Sequence, residues 1–107
     1  MQNEEKTTNA GTNEIIEIEI YTKKGKEIPK CERYKIRIDN EKYVVEKDEM
    51  TGRQLLELAE SQPVNQFAIF QRLKGGQTQK IEYNEVVSFR SKGIERFMTL
   101  PLDQTEG

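Results

Sequence analysis

The sequence contains no histidine, and Cys31 is its single cysteine. Zinc sites and Ser/His/Asp or Cys/His catalytic groups need histidine or several thiols, so none of them can be built within this chain. A lone cysteine forms no internal disulfide, which suits a reducing compartment, and without a histidine to activate it we interpret Cys31 as an ordinary thiol. The inventory predicts no intrinsic catalysis, no metal site and no bound cofactor.

An excess of positive charge and long apolar runs are also missing. Only 34% of the 107 residues are hydrophobic, which limits the chain to one small domain with a partial core. Seventeen basic residues against nineteen acidic ones offer no electrostatic footprint for a phosphate backbone, so nucleic acid is not an expected partner. No apolar signal segment or membrane-spanning run is present. We therefore expect a soluble, cytoplasmic protein with no membrane partner.

The first third of the chain has two parts. Residues 1–13 are polar and bury too little to offset the entropy of ordering, so we expect a disordered tail. The string "EIIEIEIY" then alternates, with Ile16, Ile18 and Ile20 on one side, as in a half-buried strand. A charged linker, "TKKGKEIPK", follows and is expected to be exposed. Residues 14–31 are thus predicted as a strand and linker extension, whose strand adds to the domain edge, to a partner's sheet or to another copy.

The densest patterns follow residue 32. "RYKIRID" and "KYVVEK", separated by a short polar turn, predict an antiparallel hairpin with Tyr34, Ile36 and Ile38 on one face. In "MTGRQLLELAESQP", Thr51 and Gln54 have the spacing of a capping box, and the apolar residues after them recur at helical spacing until a proline. One short amphipathic helix is therefore expected after the hairpin.

The remaining runs predict strands. "FAIFQRL", "QKIEY" and "IERFMTLP" are rich in branched and aromatic residues or alternate, and "NEVVSF" is a brief apolar patch. Gly75 and Gly76 lack the helix and lysine of a phosphate-binding loop, so a hairpin turn is expected there. This order favours an α+β fold of the β-grasp type over residues 32–101, a mixed sheet packed on one helix with its first and last strands adjacent. The expected core contains Ile36, Ile38, Val45, Leu55, Leu58, Ala59 and Phe97.

The strings "YKIRIDNEKYVV", "MTGRQLLELA", "FQRLKGG" and "GIERFMTLPLDQTEG" resemble a domain of the bacterial multiubiquitin family of ubiquitin-like proteins. The resemblance implies a protein modifier. A partner activating enzyme would use ATP to adenylate the carboxylate of Gly107 and pass it to a cysteine, and a conjugating enzyme would join it to target proteins. It also implies a deconjugating peptidase and an association with defence against phage.

Residues 102–107 are expected to form a flexible conjugation tail that the activating enzyme recognises. A terminal glycine has no Cβ to clash in a narrow channel, and the seven residues from Pro101 onward reach about 20 Å when extended. The tail differs from that of ubiquitin, because Glu106 stands where ubiquitin has a second glycine. The residues before it, Leu102, Asp103, Gln104 and Thr105, favour an enzyme groove that is positive or neutral.

In "FAIFQRL", Ala68 and Phe70 alternate with Phe67 and Ile69, and one of these pairs is expected to form an exposed patch that docks enzymes. The candidate docking surface is Ala68 and Phe70 with Arg72, although the pattern alone leaves open which side faces outward. Two other functions also remain open. One is a sulfur carrier with a C-terminal thiocarboxylate, against which the missing second glycine counts, and the other is an unconjugated β-grasp interaction module.

Overall fold

The computed structural model describes residues 14–102, so the prediction for residues 1–13 lies outside the described residues. The described part contains eight strands, two α-helices and one 3-10 helix. In chain order these are β1 (Ile16–Glu17), α1 (Ile18–Lys23), β2 (Tyr34–Ile38), β3 (Glu41–Val45), β4 (Glu49–Thr51), α2 (Gly52–Leu58), the 3-10 helix (Val64–Gln66), β5 (Phe67–Leu73), β6 (Thr78–Ile81), β7 (Val86–Ser88) and β8 (Ile94–Pro101).

The main sheet is mixed, with β2 and β8 as neighbouring central strands. Strand β2 pairs in parallel with β8 and antiparallel with β3, and β8 pairs antiparallel with β5, which pairs with β6. Strands β4 and β7 form a separate two-stranded sheet. The predicted β-grasp arrangement, a mixed sheet with one main helix and its first and last strands adjacent, is confirmed.

The two central strands touch at one end only. Their register contains a single pair, Ile38 with Phe97. Just beyond it, Asp39 donates its N–H to the Phe97 carbonyl, and its carboxylate accepts bonds of 2.9 Å from the amide and 2.6 Å from the hydroxyl of Thr99. Asp39 has a φ of 57°, a left-handed conformation that Asp tolerates better than most residues. This contact closes the sheet at the carboxyl end of β2.

The N-terminal extension fills the gap at the other end. Strand β1 pairs in parallel with β2 at Tyr34 and Lys35, on the same edge that Phe97 uses further along. Helix α1 follows and contacts both β2 and β8. Its buried Thr22 donates a 2.6 Å hydrogen bond to the Ile94 carbonyl at the start of β8. The extension is therefore part of the sheet and the core.

The predicted strand over residues 14–21 is wrong after its first half, because Ile18–Lys23 is helical. An extended chain would next pair along the β2 edge towards Ile38, which Phe97 already occupies. The chain turns into a helix instead, and the residues that point inward are Ile18, Glu19 and Thr22, a helical spacing. Ile20 faces solvent and is 45% exposed, whereas Ile18 is fully buried.

Charged side chains fix α1 in the gap. Glu19 is buried, with Arg37 Nη1 3.5 Å from one carboxylate oxygen and Lys23 Nζ 3.2 Å from the other. Glu17 forms a 2.7 Å ion pair with Lys42 of β3. The following linker exposes its charges as predicted, except that Ile28 within it is buried in the core.

Helix α2 begins with the predicted capping box. The Thr51 hydroxyl accepts from the Gln54 amide at 3.1 Å, and the Gln54 side chain accepts from the Thr51 amide at 2.9 Å. Leu55 is fully buried as predicted. Leu56 is also fully buried, although the sequence pattern did not place it in the core. Leu58 and Ala59 only pack against the margin of the core, because the helix ends at Leu58, well before Pro63.

The centre of the core is aromatic. Phe89 lies between Tyr34 and Phe97, with ring centroids 6.2 and 6.1 Å away, in tilted and edge-to-face arrangements. The Tyr34 hydroxyl donates to the Pro29 carbonyl at 3.0 Å and accepts from the Cys31 amide at 2.7 Å. Burial raises the pKa of Tyr34 above its ordinary value of 10.0, and the bond from Cys31 offsets this only in part.

Candidate docking surface

The structure shows which side of β5 faces away from the helix. Ile69 is fully buried in the core, and Phe67 and Leu73 pack against it on the same side. Because side chains alternate along a strand, Phe70 and Arg72 lie on the outer face of the sheet, with Ala68. The three candidate docking residues therefore share one face.

Strand β8 completes this outer face. Its antiparallel register places Leu100 opposite Ala68, Met98 opposite Phe70 and Arg96 opposite Arg72. Directly paired residues share a face, so six side chains form two adjacent columns that run from apolar at the Pro101 end to basic at the Ile94 end. We call this set the outer-face strip (Ala68, Phe70, Arg72, Arg96, Met98 and Leu100).

The members of the strip differ in how much surface they offer. Leu100 is 54% exposed, and Phe70 and Met98 are half-buried. Ala68 is only 5% exposed and lines a small cavity of about 60 Å³ together with Leu102. The apolar contact area therefore lies mainly with Phe70, Met98 and Leu100.

The basic end of the strip has few carboxylate partners. Arg72 and Arg96 stand opposite each other, an unfavourable arrangement for like charges. Glu95, at a bulge in β8, approaches Arg72 Nε no closer than 3.9 Å. Arg96 Nε is buried and has no hydrogen-bond partner among residues 14–102. A carboxylate from outside can reach this end through Arg72, whose side chain is 39% exposed.

Leu102, the last described residue, extends the pairing of β8 with the chain before β5 by one hydrogen bond. Pro101 ends β8 opposite Phe67, and the Leu102 amide donates to the Gln66 carbonyl at 2.8 Å. The described chain therefore ends beside the apolar end of the outer-face strip. The predicted recognition residues Asp103, Gln104, Thr105 and Glu106, and the predicted conjugation terminus Gly107, lie outside the described residues.

Comparison with protein families agrees with this architecture. The family model described as Multiubiquitin matches residues 34–101, from the start of β2 to the end of β8. The chain belongs to the multiubiquitin family. No curated protein and no solved structure matches it. The matched region contains the whole outer-face strip but excludes β1 and α1, so the extension that completes the sheet lies outside the multiubiquitin match.

The sequence did not identify three members of the strip as docking candidates, namely Arg96, Met98 and Leu100. Their alternation within "IERFMTLP" was visible, but the residues of β5 that they face depend on the register between the two strands. Within residues 14–102, no three Cys, Asp or Glu side chains gather into a metal-binding group. None of the helices in that range is long and apolar enough to cross a membrane.

Proposed function

We propose that this multiubiquitin-family protein is a modifier that partner enzymes attach to target proteins through the carboxylate of Gly107. An activating enzyme uses ATP to form an acyl-adenylate at this carboxylate, and its cysteine thiolate then displaces AMP to give a thioester. A conjugating enzyme accepts the acyl group and passes it to the target. The chain supplies the electrophile and catalyses nothing itself.

The observation that carries the proposal is the family match over a β-grasp domain whose last strand, β8, ends at Pro101. A carboxylate that must enter the active site of another protein needs an exit point at the surface, and Leu102, which follows β8, is 38% exposed. The tail residues that follow Leu102 have no bulky apolar side chains, which suits a narrow channel.

The outer-face strip is the proposed docking site for the activating enzyme. Phe70, Met98 and Leu100 offer an apolar centre beside the point where the chain leaves the sheet. Arg72 and Arg96 favour a partner that presents a carboxylate at the other end, because charge-assisted bonds to guanidinium groups are strong and directional. Docking on this face places the tail near the partner surface.

The family resemblance supports further parts of the proposal. These are a bacterial, cytoplasmic setting, a conjugating enzyme and a deconjugating peptidase as additional partners, and a role in defence against phage. Each concerns the organism or the partner proteins rather than the chain itself, so each must be tested together with those partner proteins.

The first experiment asks whether the carboxylate is activated. The protein is incubated with ATP and candidate activating and conjugating enzymes, and the products are separated on non-reducing gels and weighed intact. We expect a thiol-sensitive adduct that disappears when Gly107 is deleted. A mass change of one sulfur for one oxygen would instead identify a sulfur carrier, and no change would leave an interaction module.

The second experiment tests the docking site with matched variants. Phe70→Ala removes an aromatic side chain from the centre of the strip, whereas Val86→Ala removes apolar surface elsewhere, at a residue that is 56% exposed. We expect Phe70→Ala to slow adduct formation by about tenfold or more, as for a central contact residue, and Val86→Ala to leave the rate unchanged. Equal rates for both variants and the unmodified protein would remove the strip from the proposal.

A further inference from the structure

A cavity of about 380 Å³ opens where the linker after α1 meets the loop between β7 and β8. The linker contributes Lys26 and Glu27, the end of β7 contributes Ser88, and the loop contributes Arg90, Ser91 and Lys92. The cavity lies near the Ile94 end of β8, and none of its lining residues belongs to the outer-face strip.

The lining of this cavity carries more positive charge than negative. Three cations, Lys26, Arg90 and Lys92, face one carboxylate, that of Glu27, although the chain as a whole has a net charge of -2. The ion pairs formed within residues 14–102 include none of these three cations. The Lys26 ammonium lies 5.7 Å from the centroid of the Tyr21 ring.

A fourth cation lies at the same end of the molecule. The Lys74 ammonium is 3.4 Å from the position that a Cβ on Gly25 would take, one residue before Lys26. The Lys74 amide donates to the Gly93 carbonyl at 2.8 Å, which ties the β5–β6 turn to the loop that lines the cavity. Clustered cations repel one another, and an anion that binds among them relieves that repulsion.

The Ser88 hydroxyl, at the edge of the loop, can donate a hydrogen bond to a ligand. The Arg90 amide donates to the Ser88 hydroxyl oxygen at 3.2 Å, and the Ser91 amide donates to the Ser88 carbonyl at 3.1 Å. A hydroxyl that accepts one bond still has its own hydrogen to donate. Gly93 has a φ of 94° and no heavy atom within 4 Å of the place where a Cβ would stand, so the cavity is open at this residue.

We propose that this cavity binds a small anion that carries phosphoryl groups. Its volume lies within the range of small-molecule sites, about 300–1,000 Å³. Arg90 can form paired bonds to phosphoryl oxygens, Lys26 and Lys92 act as point charges, and the serine hydroxyls supply neutral donors. An acidic peptide fits less well because no aromatic side chain lines the cavity to anchor one. This proposal does not depend on conjugation.

The test is a titration of the 15N-labelled full chain with inorganic diphosphate at low salt, followed by two-dimensional NMR. We expect saturable shifts of the amide signals of Lys26, Ser91 and Gly93, and a weakening of binding when the salt concentration is raised. Parallel titrations with inorganic phosphate and with ATP separate the sources. Tighter binding of ATP than of diphosphate would assign a nucleotide, and equal binding would assign the phosphoryl groups alone.

Two double variants with the same change of charge make the test specific. Arg90→Gln with Lys92→Gln removes two cations from the cavity, and Lys30→Gln with Lys47→Gln removes two exposed cations outside it. We expect the first to weaken diphosphate binding by about tenfold or more and the second by less than about twofold. Circular dichroism of both variants checks the fold. Shifts that fail to saturate, or equal weakening by both variants, would overturn the proposal.

Discussion

The placement of α1 in the gap between the central strands predicts a large difference between two isoleucines in the same helix. Ile18 is fully buried and Ile20 is 45% exposed, two residues apart. Ile18→Ala deletes three buried carbons, a transfer loss of about 2.4 kcal/mol, and leaves a cavity, so we expect a total loss of about 3–4 kcal/mol. Ile20→Ala should change the free energy of unfolding by less than about 1 kcal/mol.

Both variants also gain the better helix propensity of alanine, about 0.4 kcal/mol, so this contribution cancels in the comparison. Urea unfolding followed by far-ultraviolet circular dichroism measures the difference, and thermal melting should show Ile18→Ala lower by about 12–30 °C. The chain has four tyrosines and no tryptophan, so tyrosine fluorescence supplies a second probe. If the two variants lose equal stability, α1 does not occupy the gap and our account of the extension fails.

Three further predictions concern the domain. Gly52→Ala should cost more than about 2 kcal/mol in thermal melts, because a Cβ there would overlap the Glu82 carbonyl, and unchanged stability would contradict that contact. Thr51→Ala should cost about 1 kcal/mol in urea unfolding by removing the helix cap, and Thr51→Ser should restore it. Because the pKa of Tyr34 is raised in the folded state, its contribution is complete below pH 10.0 and is lost as the pH rises through the folded pKa. Tyr34→Phe should flatten this alkaline loss in pH-dependent unfolding, and an unchanged slope would contradict it.

Local sequence patterns correctly predicted the elements whose interacting residues lie close together in the sequence. The β2–β3 hairpin, the Gly75–Gly76 turn and the capping box all depend on residues a few positions apart, and the structure has each of them. Strand β8 was also predicted correctly over Ile94–Pro101, although a bulge between Ile94 and Arg96 interrupts its alternation. Local signals were sufficient in these segments because nothing distant competes with them.

Distant contacts decided the features that the sequence either mispredicted or left open. The alternation of residues 14–21 is as regular as that of β2, but the edge it would need beyond Lys35 is already taken by β8. Similarly, the face of β5 that points outward depends on the core beneath Ile69, and its apolar neighbours depend on the register with β8. Neither constraint is encoded within the segment itself, so periodicity alone could not supply it.

The occupied gap between β2 and β8 has a practical consequence for anyone who trims this protein. A fragment cut at the limits of the family match, residues 34–101, would discard Ile16, Ile18 and Ile28, all of which are buried in the core. In such a fragment the edge of β2 that pairs with β1 would be exposed. The Ile94 carbonyl would also lose its hydrogen bond from Thr22. Expressed fragments and tandem fusions should therefore start before Glu14, because a shorter product is expected to aggregate through the exposed strand edge.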